Sequence, residues 1–178
     1  QKMDAADFLE GISRMLALYA PQVTACCQNL FSSHDVPRLL HEAGGDLARL
    51  RLATLFQLTM SGAPGIYYGD EIGMNGGQDP MNRGAFPWAK PETWDRETLE
   101  LTRALIRLRK EHPALRNGEW RFLFQHRANA FGFERVSEDE HIVVVINRGQ
   151  AIENELSLRI PATGAEILWG NAEITVGG

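Results

Sequence analysis

At 178 residues the chain has the length of one ordinary domain plus a small appendage, enough to bury a core without disulfide or metal staples. Its 44% hydrophobic and 23% charged residues are those of a globular protein, which excludes disorder, collagen-like repeats and a disulfide scaffold. A net charge of -5 leaves no electrostatic footprint for nucleic acid and no pull toward an anionic membrane, so neither is expected as a partner.

Phe8, Ile12, Met15, Leu16 and Tyr19 fall on one face of a helix that runs from about Asp4 and is stopped by Pro21. Val23 to Phe31 then reads as a short buried strand delivering Ser32, Ser33, His34 and Asp35 at its C-terminal end. Cys26 and Cys27 are adjacent, too close for an unstrained disulfide, and read as small buried hydrophobes of that strand. After Gly44-Gly45, Asp46 caps a second helix whose leucines and Phe56 occupy more than one face, so it is expected to be largely buried up to Ser61-Gly62. Gly65 to Tyr68 reads as a second short strand.

The stretch from Gly69 to about Trp94 has no periodicity, yet Tyr67, Tyr68, Phe86, Trp88 and Trp94, with Met74, lie in or beside it and make it too aromatic for a solvated linker. Loops of that length in compact domains are usually functional or disordered. A third helix starts at Asp95 and ends at Pro113; Arg103, Arg107, Arg109 and Lys110 read as solvated charge balancing its dipole.

Beyond Gly118 the period changes from helical to alternating. Trp120 to Gln125, Ala130 to Val136, His141 to Asn147, Glu155 to Ile160, Ile167 to Trp169 and Ile174 to Val176 form short candidate strands joined by turn signals. Their aromatics, Trp120, Phe122, Phe124, Phe131 and Phe133, read as core residues of an antiparallel module. The longest aliphatic run, Ile142 to Ile146, is too short to span a bilayer. The acidic start lacks the apolar stretch of a signal peptide, and no Asn-x-Ser/Thr acceptor occurs, which favours a cytoplasmic over a secreted protein with anything upstream of Gln1 left open.

Helix, strand, helix, strand, helix is the alternation of a parallel α/β sheet, but two strands leave both edges unpaired and cannot cover three amphipathic helices. Residues 1–117 are therefore expected to be the tail of a larger barrel or doubly wound domain, and residues 118–178 the β module. In parallel α/β barrels the active site lies at the C-terminal strand ends. Both predicted strands end in polar clusters there, Ser33-His34-Asp35 and Gly69-Asp70-Glu71, with Asp79, Asn82 and Arg83 supplied by the long loop. His41-Glu42 lies near but lacks a His-x-x-x-His partner or a cysteine pair, so a solvated loop is expected there and no metal centre. Bland readings stand beside these: His34-Asp35 as a helix entry, Asp79 and Arg83 as a surface ion pair, Asp70 and Glu71 as ligands of loop backbone.

NLFSSHDVPRLL (Asn29 to Leu40) resembles the strand-seven motif of the alpha-amylase family of glycoside hydrolases, and GAPGIYYGDEIGMNGGQDPMNRGAFPW (Gly62 to Trp88) its strand-eight segment and loop. The likeness is strongest to the neopullulanase, cyclomaltodextrinase and maltogenic amylase branch, and it covers essentially the whole chain. It implies an α/β fold: the last two strands and flanking helices of a TIM (β/α)8 barrel, followed by an all-β antiparallel sandwich. It implies a retaining hydrolase of alpha-1,4 glucans, maltooligosaccharides or cyclodextrins, with alpha-1,6 linkages open. Asp35 would be the transition-state-stabilising carboxylate and His34 its neighbour. Asp79 and Arg83 would bind the adjacent glucose, with Tyr67, Tyr68, Asp70 and Glu71 supporting the pocket floor. The family's nucleophile and general acid/base sit on earlier strands, and no segment here matches either motif, so this chain alone is expected to be inactive. Asp35 and Glu71 as a self-sufficient catalytic pair is the weaker reading. Implied partners are an alpha-glucan and the N-terminal remainder of the barrel, with no cofactor in this chain; calcium in the parent protein and a homodimer stay open. An alpha-glucosidase, a glycosyl-transferring relative and a non-catalytic binding subunit on the same fold are the alternatives.

Overall fold

The computed structural model describes residues 4–126, 129–149, 158, 160, 164–171 and 173. Helix α1 spans Ala5–Ala17, and Asp4 Oδ1 accepts the Asp7 N–H at 2.9 Å, satisfying one of the donors that a helix start leaves orphaned. Ala5 and Leu9 are buried, with Phe8, Ile12 and Leu16 packed beside them. Tyr19, expected on the same face, is exposed because the helix ends before it.

Pro21, read as a stop, instead opens a short helix α2, Pro21–Cys26, at the position where its fixed φ suits a first turn. The predicted strand Val23 to Phe31 is thereby corrected to β1, Gln28–Asn29, paired in parallel with β2, Ala63–Pro64. The second predicted strand is likewise displaced, since Gly65 to Tyr68 lies just past β2. Each strand has a single neighbour, and pairing of that kind is marginal without a third strand. Cys26 and Cys27 are accordingly exposed, not buried.

Between the strands run α3, Leu39–Glu42, which absorbs the expected His41-Glu42 loop, and α4, Leu47–Thr59. Asp46 caps α4 by accepting the Ala48 and Arg49 N–H groups at 2.9 and 3.2 Å. Leu50, Thr54, Phe56, Gln57 and Leu58 are buried on several faces of it, as its leucine pattern predicts. After β2 the long segment is ordered by three 3-10 turns, Asp70–Ile72, Met81–Arg83 and Pro91–Thr93. Helices α5, Arg96–Glu111, and α6, Pro113–Asn117, follow, with Asp95 Oδ1 accepting the Thr98 N–H at 2.7 Å.

Strands β3, Glu119–His126, β4, Ala130–Val136, and β5, His141–Asn147, form an antiparallel sheet in the order β3-β4-β5. A bulge between Phe122 and Phe124 shifts the register, and the Phe124 ring then covers Gly132, where a Cβ would sit 2.2 Å from its Cε1. Phe131 and Phe133 are buried as expected on the central strand β4, whereas Phe122, on the edge strand β3, is exposed. Ile167 to Trp169, expected as a strand, is not one; no described strand pairs with it. The expected strands Glu155 to Ile160, apart from Leu158 and Ile160, and Ile174 to Val176 lie outside the described residues.

One core joins helices and sheet: Ala5 and Leu9 of α1, Phe56 of α4, Met60 just after it, Phe131 and Phe133 of β4, Val144 and Ile146 of β5. Phe56 meets Phe8 and Phe133 edge-on, with ring centroids 5.2 and 5.9 Å apart. Two arginines seal the end of α4. Arg109, expected on a solvated face, is buried and donates to the carbonyls of Leu58, Met60 and Gly62 at 2.9, 3.0 and 2.5 Å. Arg135 of β4 is fully buried and donates to Thr59 O at 2.7 Å and Gly118 O at 2.8 Å. A helix C-terminus leaves carbonyls without partners and carries partial negative charge, which suits guanidinium groups. Desolvation, then the nearby Arg109 charge, brings the Arg135 pKa down to about 10.

Candidate functional site

The site is assembled where the C-terminal ends of β1 and β2 open into loops. Gln57 of α4 holds those ends together: its Nε2 donates to Asn29 O at 2.9 Å and Gly65 O at 2.8 Å. The first loop carries His34 and Asp35. Their side chains are 69% and 71% exposed, and His34 Nε2 lies 3.3 Å from Asp35 Oδ1. The main chain beneath them is fastened from two directions. Ser33 Oγ accepts the Asp35 N–H at 3.1 Å, and Ser32 Oγ accepts the Leu39 N–H at 2.9 Å where the loop enters α3.

The second fastening comes from the segment after β2. Asn82 is fully buried, and its Nδ2 donates to the carbonyls of His34 and Val36 at 3.0 Å each and of Ser33 at 3.4 Å. Arg83 Nε donates to His34 O at 3.0 Å and lies 3.2 Å from Asp79 Oδ1. The structure thus brings four of the expected site residues, His34, Asp35, Asp79 and Arg83, to one exposed rim. The Asp79–Arg83 ion pair of the bland reading is present as well, formed within one turn of chain that also grips His34.

Asp70 and Glu71 are turned to internal work. Glu71 Oε2 accepts the Gly69 N–H at 2.7 Å, the backbone role weighed for it above. Asp70 Oδ1 lies 3.1 Å from Arg38 Nη1, and both carboxylates line a small cavity with Phe31, Gln57 and Ile66. Burial pushes the Asp70 carboxyl above its ordinary pKa despite the opposing Ser32 hydrogen bond and Arg38 charge. Tyr68 donates its hydroxyl to Gly84 O at 2.9 Å, bracing the long loop, and its ring packs on Tyr67 with centroids 4.6 Å apart.

Two residues were missed from sequence. Arg38 closes the first motif, and its placement after a proline gave no sign of burial. Gln57 sat among leucines as an ordinary helix residue. Asn82, grouped with Asp79 and Arg83 in the sequence analysis, has its amide nitrogen consumed by main chain. The aromatics of the long loop cluster: Phe86 lies tilted against Trp88 with ring centroids 4.2 Å apart and meets Trp94 edge-on at 5.4 Å, and Trp88 is 75% exposed. Among the described residues no group of three or more His, Cys, Asp or Glu side chains gathers in a metal-binding arrangement, and no helix is long and apolar enough to cross a membrane.

Comparison with known proteins adds a lineage to this geometry. A family model described as the alpha amylase catalytic domain matches residues 1–95. A cyclomaltodextrinase of Geobacillus thermopakistaniensis (strain MAS1) is 40% identical over 165 residues, covering 92% of this chain and 28% of that protein. Neopullulanase 2 of Thermoactinomyces vulgaris is 38% identical over 167 residues, covering 93% and 28%. Among solved structures, a debranching enzyme from Nostoc punctiforme superposes with a TM-score of 0.75 at 40% identity, covering 82% of this chain and 29% of that one. The chain therefore spans less than a third of the length of these relatives.

Proposed function

Because the chain belongs to the alpha-amylase family, in its neopullulanase and cyclomaltodextrinase branch, we propose that it is the C-terminal part of a retaining glycoside hydrolase acting on alpha-1,4 glucans, maltooligosaccharides or cyclodextrins. In this reading β1 and β2 are the last two strands of a (β/α)8 barrel, and the sheet β3-β4-β5 belongs to a C-terminal β domain. Earlier strands, carried elsewhere in the parent protein, supply the nucleophile and the general acid/base. Retention requires those two carboxyl groups at about 5 to 5.5 Å from each other. Asp35 acts beside them: it grips sugar hydroxyls, and bonds that strengthen as the ring flattens lower the barrier by several kcal/mol, roughly. His34 shares that subsite. Arg83 and Asp79 take the hydroxyls of the neighbouring glucose, a fixed guanidinium and a carboxylate offering donors and acceptors at set angles.

The observation that carries this reading is the capture of the His34 main chain by Asn82 and Arg83. Two segments 48 and 49 residues apart in sequence meet at the strand ends, where parallel α/β barrels keep their active sites. The test is Asp35→Asn in the full-length parent protein, assayed on maltotriose and a cyclodextrin. The expected result is a fall in kcat of about 1,000-fold, the equivalent of roughly 4 kcal/mol, with the fold intact. Full activity in that variant, or hydrolysis by the 178-residue chain alone, would contradict the proposal.

A further inference from the structure

Arg38 is the most enclosed charge at the rim. It is fully buried, its guanidinium carbon lies 4.6 and 4.8 Å from the ring centroids of Tyr67 and Tyr68, and its Nη1 donates to Tyr68 O at 2.7 Å and to Asp70 Oδ1 at 3.1 Å. Its own N–H donates to Gly76 O at 2.9 Å. Every one of these contacts crosses from the loop after β1 to the segment after β2, and Arg38 is three residues from Asp35. Its Nε and Nη2, by contrast, have no hydrogen-bond partner among the described residues.

That combination is poor design for stability. Buried donors left unpaired cost free energy, and a buried ion pair is often replaceable by neutral groups of similar size at no loss. It is good design for placement, because a planar cation over two rings and against a carboxylate admits few orientations. We propose that Arg38 is a positioning residue of the active site: it sets the loop bearing His34 and Asp35 against the segment bearing Asp79 and Arg83. This rests on the reading of Asp35 given above. Removing the guanidinium frees the loop to drift, and displacement of a group that works in the transition state lowers kcat more than it raises KM. Loss of the cation also removes an influence that holds the Asp70 carboxyl down, so its titration moves further up.

The test compares Arg38→Met/Asp70→Asn, Arg38→Met, Arg38→Lys and Asp35→Asn in the full-length protein with maltotriose as substrate. The double variant swaps the pair for neutral groups and is expected to keep its unfolding midpoint within about 3 °C while kcat falls about tenfold or more and KM changes less than about threefold. Arg38→Lys keeps the charge toward Asp70 and Tyr68 O but loses the planar group over Tyr67 and Tyr68, so it recovers only part of the lost kcat. A double variant with kcat within about twofold of the parent, or unfolding of every Arg38 variant, would overturn the inference. If Asp35→Asn is fully active, the assignment of the site fails instead, whatever Arg38 does.

Discussion

The rim at the strand ends and the joint between helices and sheet both bury charged or polar side chains, yet they use them in opposite ways. At the joint, Arg109 and Arg135 spend their guanidinium groups on the carbonyls at the end of α4, and the aromatic rings of Phe8, Phe56, Phe131 and Phe133 close over the remainder. At the rim, Asn82 and Arg38 lie buried underneath while His34 and Asp35 stand exposed above them. The joint converts polar groups into cohesion. The rim uses them to hold main chain still beneath exposed side chains.

That contrast can be broken from the joint. Phe133 is fully buried between Phe56, Phe131 and Trp120, so Phe133→Ala should lower unfolding free energy by about 3 to 5 kcal/mol. Denaturant titration measures it, and activity per folded molecule in the parent protein should be unchanged. Arg135→Met is the next largest effect. It removes the donors of Thr59 O and Gly118 O without stranding an opposite charge, at about 2 to 3 kcal/mol, again with kcat preserved. A large kcat loss in either variant would mean that joint and rim are not separable.

The smallest effect is a pH dependence. Glu140 accepts the Ala114 N–H at 2.9 Å and lies 3.0 Å from His112 Nδ1, tying the β4–β5 turn to the start of α6. The Ala114 hydrogen bond, ahead of the His112 contact, holds its carboxyl below the usual range. A carboxyl lowered in the folded state binds fewer protons there than when unfolded. Its contribution is therefore full above the unfolded-state pKa and lost as pH falls through the folded one. Glu140→Gln should flatten the acid side of a plot of unfolding midpoint against pH and leave the rim untouched.

How much of this was legible in sequence depended on how local the cause was. The three capping aspartates, Asp4, Asp46 and Asp95, mark helix starts directly, because a cap is a bond to an N–H two or three residues on. The strands β1 and β2 were mislocated because a strand is made by its neighbours, and each has one here. Burial of Arg109 was illegible for a similar reason: the carbonyls that receive it end a different helix, 47 to 51 residues away. At the rim the motifs singled out His34, Asp35, Asp79 and Arg83, which the fold brings to one exposed edge. What binds those motifs to each other, Arg38 and the amide of Asn82, is tertiary and became visible only when the two loops were seen in contact.

Under the proposed function, the exposed side chains of the rim depend on the buried polar groups that fasten the main chain below them. Asn82→Ala in the full-length protein tests it most directly, with unfolding and maltotriose hydrolysis measured on the same preparation. The account predicts a modest stability loss of about 1 to 2 kcal/mol together with a fall in kcat of about 100-fold. An active variant with the parent kcat and the same stability loss would contradict it.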